Sequence, residues 1–255
     1  MIDSRWHQSV GILARMIIES QRMVFLGGAG VSTESGIPDY RSATGLYAQD
    51  DKTFYTGATI LSHTFFYEHP SLFYQYYKGK LIHREAKPNA AHYVLAKLEK
   101  EFGLQLIITQ NIDGLHQQAG SDHVYEMHGS MHQNYCTVCG KRYLLQDVMD
   151  STTWVPYCVC GGIIRPEVVL YEEPLDRKML QQAIQVIRKA DLMIVGGTTL
   201  AVNPARGLVK YFRGKSLVFI NLDETKLDHR ADLIIRQKIG SVMSLLDERL
   251  IRQRG

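Results

Sequence analysis

Four short runs, MVFL at 23–26, LQLII at 104–108, DLMIV at 191–195 and SLVFI at 216–220, are apolar at nearly every position. A half-exposed strand alternates apolar with polar residues, so runs without alternation are expected as strands buried on both faces. Such strands need helices above and below them. Val10, Leu13, Ala14 and Ile17 share one helical face. Ala91, Val94, Leu95 and Leu98 share another, in a helix expected from Asn89 to Lys100 and stopped by Gly103. DRKMLQQAIQVIRKA turns Leu180, Ala183, Ile184 and Ile187 to one side, and Val242, Leu246 and Leu250 mark a final helix. ADLIIR, at 231–236, adds a shorter strand. Helices alternating with buried strands predict an α/β fold, a parallel sheet covered on both faces.

The middle of the chain breaks this alternation. Residues 43–85 are dense in aromatics, from Tyr47 to Tyr77, and residues 130–165 hold all four cysteines. Both segments are expected as insertions that together make a second, smaller lobe. The cysteines form two tight pairs, Cys136 with Cys139 and Cys158 with Cys160, and 18 residues lie between the pairs. Two close thiolate pairs can give zinc its four tetrahedral ligands. A closed four-thiolate site has no open position for water, so one structural zinc is expected; four buried free thiols are the alternative. The second pair is one residue shorter than the usual ribbon spacing.

Composition excludes several functions. A net charge of +3 on 255 residues gives no electrostatic case for nucleic acid or membrane surface. Only Lys141 and Arg142 flank the first cysteine pair, which is thin for phosphate contacts. The N-terminus has no apolar stretch of signal-peptide length, and no run approaches the roughly 20 apolar residues of a membrane span. A cytoplasmic protein is expected, and a monomer.

Polar residues cluster where a parallel sheet binds ligands, beyond the carboxyl ends of its strands. GGAGVSTESGIPDYRS follows the first run, with Gly28 and Gly30 but Thr33 where a dinucleotide fingerprint has its third glycine. Thr109 to His116 follow the second run, Gly196 to Leu200 the third, and Asn221 the fourth. One such turn could be a helix cap and no more. Four together predict a nucleotide cleft. Of ten histidines, His128 lies between the sheet and the cysteine segment, near the mouth between lobes.

In order, GAGVSTESGIPDYRS, TQNIDGLH, His128-Gly129, the paired cysteines and GTTLAVNPA resemble the sirtuins, the NAD-dependent protein lysine deacylases. The likeness runs from about Phe25 to Leu246. Gly45-Leu46-Tyr47, Pro88-Asn89 with His92, and IRPEVVLYEE support it. The resemblance implies a Rossmann-type domain from 1–42, 86–129 and 174–255, a helical module at 43–85 and a zinc module at 130–173. It implies that Gly28, Ala29, Gly30, Ser32 and Thr33 line the NAD phosphates, that Arg41 orients NAD and that Tyr40 covers its nicotinamide end. Gln110, Asn111, Ile112 and Asp113 would hold the nicotinamide ribose and carboxamide. Gly197, Thr198, Thr199, Asn221, Leu222 and Ile239 would bind the rest of the cofactor. Val168, Val169, Leu170 and Tyr171 would receive the substrate, with His128 as general base and Asn111 beside it. Cys136, Cys139, Cys158 and Cys160 would bind zinc.

The implied reaction removes an acetyl or other uncharged acyl group from a protein lysine, giving nicotinamide and O-acetyl-ADP-ribose. Positioning supplies much of its rate, and an imidazole can take a proton near neutral pH. Three departures qualify the likeness. Tyr40 stands where the family usually has phenylalanine. Glu172 replaces a common glycine beside the substrate strand and is expected to favour basic flanking residues. The tyrosine–arginine pair of members that prefer acidic acyl groups is missing, since Gly79 stands three residues after Tyr76. Protein mono-ADP-ribosyl transfer is the alternative activity in the same cleft. An NAD-sensing module needs no base, and a zinc-ribbon nucleic-acid reader is disfavoured by charge.

Overall fold

The computed structural model describes residues 4–40, 42, 45–46, 55–201 and 205–254. Arg41, Tyr47 and residues 202–204 of the GTTLAVNPA motif lie outside the described residues. The strands are β1 Met23–Gly27, β2 Leu104–Thr109, β3 Val124–Glu126, β4 Gly129–Cys136, β5 Arg142–Leu144, β6 Ile164–Val168, β7 Leu192–Gly196, β8 Ser216–Ile220 and β9 Leu233–Ile235. Six form one parallel sheet in the order β3-β2-β1-β7-β8-β9. Numbered within that sheet the order is 3-2-1-4-5-6, the doubly wound Rossmann arrangement, and its direction reverses between β1 and β7.

The apolar runs are strands because both their faces are covered. In β1, Met23 and Phe25 enter one core and Val24 and Leu26 the other. β7 and β8 alternate likewise, Ile194 and Val218 on one side, Val195 and Phe219 on the other. Helices Ser4–Glu19, Ala90–Glu101 and Ile239–Arg254 cover the first face; helix Arg177–Lys189 packs on the second through Ala183 and Ile187. Two caps set helix starts. Asp176 accepts from the N–H groups of Lys178 and Met179, and Asn89 forms a capping box with His92.

The third strand of the large sheet and the whole small sheet go beyond the sequence expectations. β3 is three residues long, too short for a periodic signal. β4 pairs antiparallel with β5 and β6, a sheet whose strands mix polar and apolar residues. The aromatic segment packs against it. Phe65, Phe66, Phe73, Tyr74 and Tyr77 share one core with Met131, Cys136, Cys158, Ile164 and Val168. The rings of Phe66 and Phe73 meet edge to face at 4.9 Å, and the Tyr74 hydroxyl donates to the carbonyl of Ile164.

Beneath the large sheet's ligand end lies a buried imidazole pair. The rings of His92 and His116 lie 4.8 Å apart, tilted by 59°, and neither nitrogen of His116 has a partner among the described residues. Burial lowers the pKa of His92 to about 4, against an opposing pull from Asp113. Burial, then the neighbouring His92, lowers that of His116 to about 3. Both are held neutral in the fold but gain protons when unfolded below about 6.5, so each removes stability as pH falls. Glu126 acts in the opposite sense: burial first, then Asp113, raises its pKa to about 7, so it binds a proton in the fold at pH values where the unfolded carboxylate does not. Two imidazoles outweigh one carboxyl. The melting temperature should therefore fall as pH drops from about 6.5 to about 5, and His116→Leu should nearly flatten that slope. A wild-type slope unchanged in the variant, measured by calorimetry, would refute the assignment.

Candidate functional site

The loops after β1 and β7 meet at the switch point of the sheet. The N–H of Gly30 donates to the carbonyl of Gly197 at 2.8 Å. A Cβ on Gly30 would stand 2.8 Å from Gly197 Cα, and one on Gly28 would stand 2.9 Å from Thr198 Cβ. Gly197 has φ +59°, and its own Cβ would fall 2.4 Å from the amide nitrogen of Val31. Thus the glycines of the opening turn answer first to the facing loop. The same glycines also line the cleft. After Gly30 the chain makes two short 3-10 turns, Ala29–Val31 and Thr33–Ser35, in place of a long helix. Thr33 donates its hydroxyl to the carbonyl of Gly30 at 3.0 Å. A third glycine exists for close helix–sheet packing, and there is no such helix here to pack.

Helix starts anchor this turn from outside. Asn89 Nδ2 donates to the carbonyl of Val31 at 2.8 Å, and Glu34 accepts from the N–H of Gly240 at 2.6 Å. The strand ends are then laced together. Gln110 Nε2 donates to Gly27 O at 3.1 Å and to Thr198 Oγ1 at 2.9 Å. The N–H of Thr198 donates to Asn221 Oδ1 at 2.9 Å.

These loops wall a cleft of about 440 Å³ that runs to the small lobe. Gly28, Ala29, Gly30, Thr33, Tyr40, Gln110, Asn111 and Ile112 line one part of it. Gly197, Thr198, Thr199, Asn221, Leu222 and Ile239 line another, and His128 with Val168, Val169, Leu170 and Tyr171 a third. Ser32 and Asp113 stand behind the wall instead. Asn111 Nδ2 donates to Ser32 Oγ at 2.9 Å, and Ser32 Oγ donates to Asp113 Oδ2 at 2.7 Å. Asp113 Oδ1 accepts from the N–H of Leu115 at 3.0 Å. Ser32 is buried, and its hydroxyl bridges Asn111 and Asp113.

His128 is fixed by its own hydrogen bond. Its Nδ1 lies 2.8 Å from the carbonyl of Gln110, which can only accept, so Nδ1 carries the proton and Nε2 is the basic nitrogen. The sequence expectations missed several lining residues, among them Asp39, Leu61, Tyr77, Leu81 and Lys238. Asp39 lies within the GGAGVSTESGIPDYRS stretch but was not singled out there; the others belong to no strand-end motif, and only the aromatic density of 43–85 could have drawn attention to Tyr77. Tyr77 lines the cleft, whereas Gly79 is exposed to open space and Tyr76 is not among the lining residues. The phenol of Tyr77 is fully buried, and burial, then Tyr40, raises its pKa, so it stays neutral.

The cleft suits a dinucleotide on two observations: Gly28, Gly30 and Gly197 line it without side chains, and Asn221 Nδ2 is a buried donor that has no partner among the described residues. A match to the Sir2 family extends over residues 28–204. The chain belongs to the Sir2 family. A Clostridium acetobutylicum protein named NAD-dependent protein deacetylase is 53% identical over 232 residues, 91% of this chain and 95% of the relative. One from Staphylococcus aureus strain COL with the same name is 42% identical over 235 residues, 92% and 96% of the two chains. Among solved structures, Sir2Tm bound to a propionylated peptide superposes with a TM-score of 0.81 at 38% identity, covering 93% of this chain and 96% of that one. A Sir2 variant with deacetylated p53 peptide and 3'-O-acetyl ADP ribose gives a TM-score of 0.86 at 38% identity, with the same coverage.

The sirtuin zinc module can be tested on its own geometry. The four sulfurs lie within 4.8 Å of one another, with Cys136 to Cys160 at 3.4 Å and Cys139 to Cys158 at 3.7 Å. A tetrahedron with metal–sulfur bonds of about 2.3 Å has edges of about 3.8 Å, so the donor set fits one structural zinc. Glycine makes room for it: a Cβ on Gly162 would stand 2.6 Å from Cys136 Sγ. The N–H groups of Val138 and Cys139 reach Cys136 Sγ at 3.4 and 3.5 Å. The tight second pair is compensated by Tyr143, whose hydroxyl donates to Cys158 Sγ at 3.0 Å. Backbone hydrogen bonding at Cys160, then this phenol, holds the Cys158 thiol down to about 6. Tyr143→Phe should weaken zinc binding by about tenfold in chelator competition. Unchanged affinity would mean the phenol only packs there.

Proposed function

We propose that this chain is an NAD-dependent protein lysine deacetylase whose reaction takes place between His128 and the segment Val168–Tyr171 that leaves β6. The observation that carries this reading is the cleft that joins the glycine turns, the oriented imidazole and that segment. NAD supplies an activated ribose and nicotinamide as leaving group, and the acetyl-lysine oxygen supplies the nucleophile that captures the ribose carbon.

The protein's own groups position and move protons. Gly28, Ala29 and Gly30 present backbone to the pyrophosphate, and Asn221 offers its amide to the adenosine half. Asn111 takes the nicotinamide ribose and carboxamide, and Asp113 holds it in line through Ser32. Tyr40 and Ile112 cover the nicotinamide end. His128 Nε2 is the group that would take a proton from a ribose hydroxyl and so ready that oxygen for the acyl carbon. With one water, the products are nicotinamide, free lysine and O-acetyl-ADP-ribose. Zinc holds the small lobe and touches no reacting atom. The reading extends to a monomer that works in the cytoplasm without nucleic acid or membrane, supported by paired cysteines that suit a reducing compartment and by the near-balanced charge. No helix among the described residues is long and apolar enough to cross a membrane.

The substrate is an acetyl or similarly uncharged acyl group. Leu61, Tyr77, Ile112, Val168 and Leu170 offer apolar surface and a neutral phenol at the small-lobe end of the cleft. A carboxylate there would lose its hydration, and none of these five side chains offers a cation in return. On matched peptides acetyl should be removed faster than succinyl; the reverse order would overturn this preference. His128→Ala should lower deacetylation by about 10²–10⁴-fold while NAD still binds, as read by product mass spectrometry and titration calorimetry. Near-normal turnover in that variant would refute the mechanism. Label from NAD appearing on protein, and not on a small molecule, would point to ADP-ribosyl transfer.

A further inference from the structure

Glu172 has a left-handed backbone, with φ +77°. Glycine adopts that conformation freely; a residue with a side chain keeps it only where something holds it there. Here the holding contact is with helix His63–Glu68. Four N–H groups at a helix start lack partners within the helix. The N–H of Ser62 donates to Thr59 O at 3.1 Å, that of His63 to Tyr171 O at 3.0 Å, and that of Phe65 to Ser62 Oγ at 3.2 Å. The remaining one, on Thr64, donates to Glu172 Oε2 at 2.9 Å, and the Thr64 hydroxyl donates to the same oxygen at 2.7 Å. Glu172 completes the set. Glycine at 172 would relax the backbone and take this acceptor from Thr64.

The contact lies at the mouth of the cleft and joins distant parts of the chain. The N–H of Tyr171 donates to Leu61 O at 3.0 Å, and Glu173 receives His63 Nδ1 at 2.7 Å. Leu61, Tyr171 and Glu172 all line the cleft. The Glu172 carboxylate is therefore engaged by the helix. This gives Glu172 a structural contact besides the expected reading of basic residues flanking the target lysine.

We propose that Glu172 is a positioning residue for the acyl-lysine substrate: it clips helix His63–Glu68 to the end of the segment Val168–Tyr171 and so preforms the cleft mouth. This rests on the deacetylase reading above and adds to it a device for peptide affinity. Glu172→Gly loses the acceptor, whereas Glu172→Gln keeps an oxygen in the same place without the charge. Two measurements on the zinc-loaded protein test the clip. In hydrogen exchange, the Thr64 amide should exchange about fivefold faster in Glu172→Gly and within about twofold of wild type in Glu172→Gln. In steady-state kinetics, Glu172→Gly should raise peptide KM about fivefold, leave kcat and the NAD KM unchanged, and act equally on peptides with basic and neutral flanks. Glu172→Gln should restore the KM.

Unchanged Thr64 exchange in Glu172→Gly would overturn the clip. A KM increase confined to basic-flank peptides and shared by Glu172→Gln would overturn it in favour of direct charge recognition. Wild-type protein without deacetylase turnover would sink the underlying reading, while the exchange measurement would still report on the Thr64 contact.

Discussion

The architecture of the cleft depends on one close approach, between the loop after β1 and the loop after β7. The Gly30–Gly197 hydrogen bond is possible because neither residue carries a Cβ. Everything that lines the large-sheet end is referenced to it. Thr198 follows Gly197 and is held by Asn221 on one side and Gln110 on the other. Gln110 in turn accepts the ring proton of His128 through its carbonyl. The ends of β1, β2, β7 and β8 thus form one hydrogen-bonded frame that reaches the imidazole. A side chain at position 30 or 197 would displace several members of that frame at once.

The small lobe meets a different constraint. It has a modest core, built from aromatics of one segment and a three-stranded sheet of another. Neither segment has enough apolar surface to stand alone, and the four-cysteine cluster ties the far end of that sheet. The near end carries the strand at the cleft. There the lobe is joined by polar contacts: Tyr171 with Leu61 and His63, Glu172 with Thr64, and Glu173 with His63 and Arg165. Such contacts have direction, so they set the position of a strand more sharply than apolar packing does.

Much of this was legible along the chain, for local reasons. Apolar runs without alternation mark strands buried on two faces, and β1, β2, β7, β8 and β9 are where such runs lie. The four cysteines announce themselves by spacing. β4, β5 and β6 did not, because a small antiparallel sheet around a metal cluster needs little hydrophobic pattern. Tyr77 escaped for a related reason: three neighbouring tyrosines, Tyr74, Tyr76 and Tyr77, are alike as residues, and only helix phase decides which one meets the cleft. Ser32 shows the converse. Its place beside glycines suggests a phosphate contact, yet its hydroxyl lies buried between Asn111 and Asp113.

By itself the sequence determined the parallel sheet, the polar turns beyond its strand ends and the four paired cysteines, since each follows from residue type at short spacing. Tertiary structure alone decided which atoms share a cavity and which face away. The missing third glycine has its explanation there, because whether residue 33 must lack a side chain depends on what packs against it. So does Glu172: its charge suggested recognition of a basic partner, and the fold spends that carboxylate on the amide of Thr64. Long-range hydrogen bonds of this kind depend on distances between segments more than one hundred residues apart, and no local pattern encodes them.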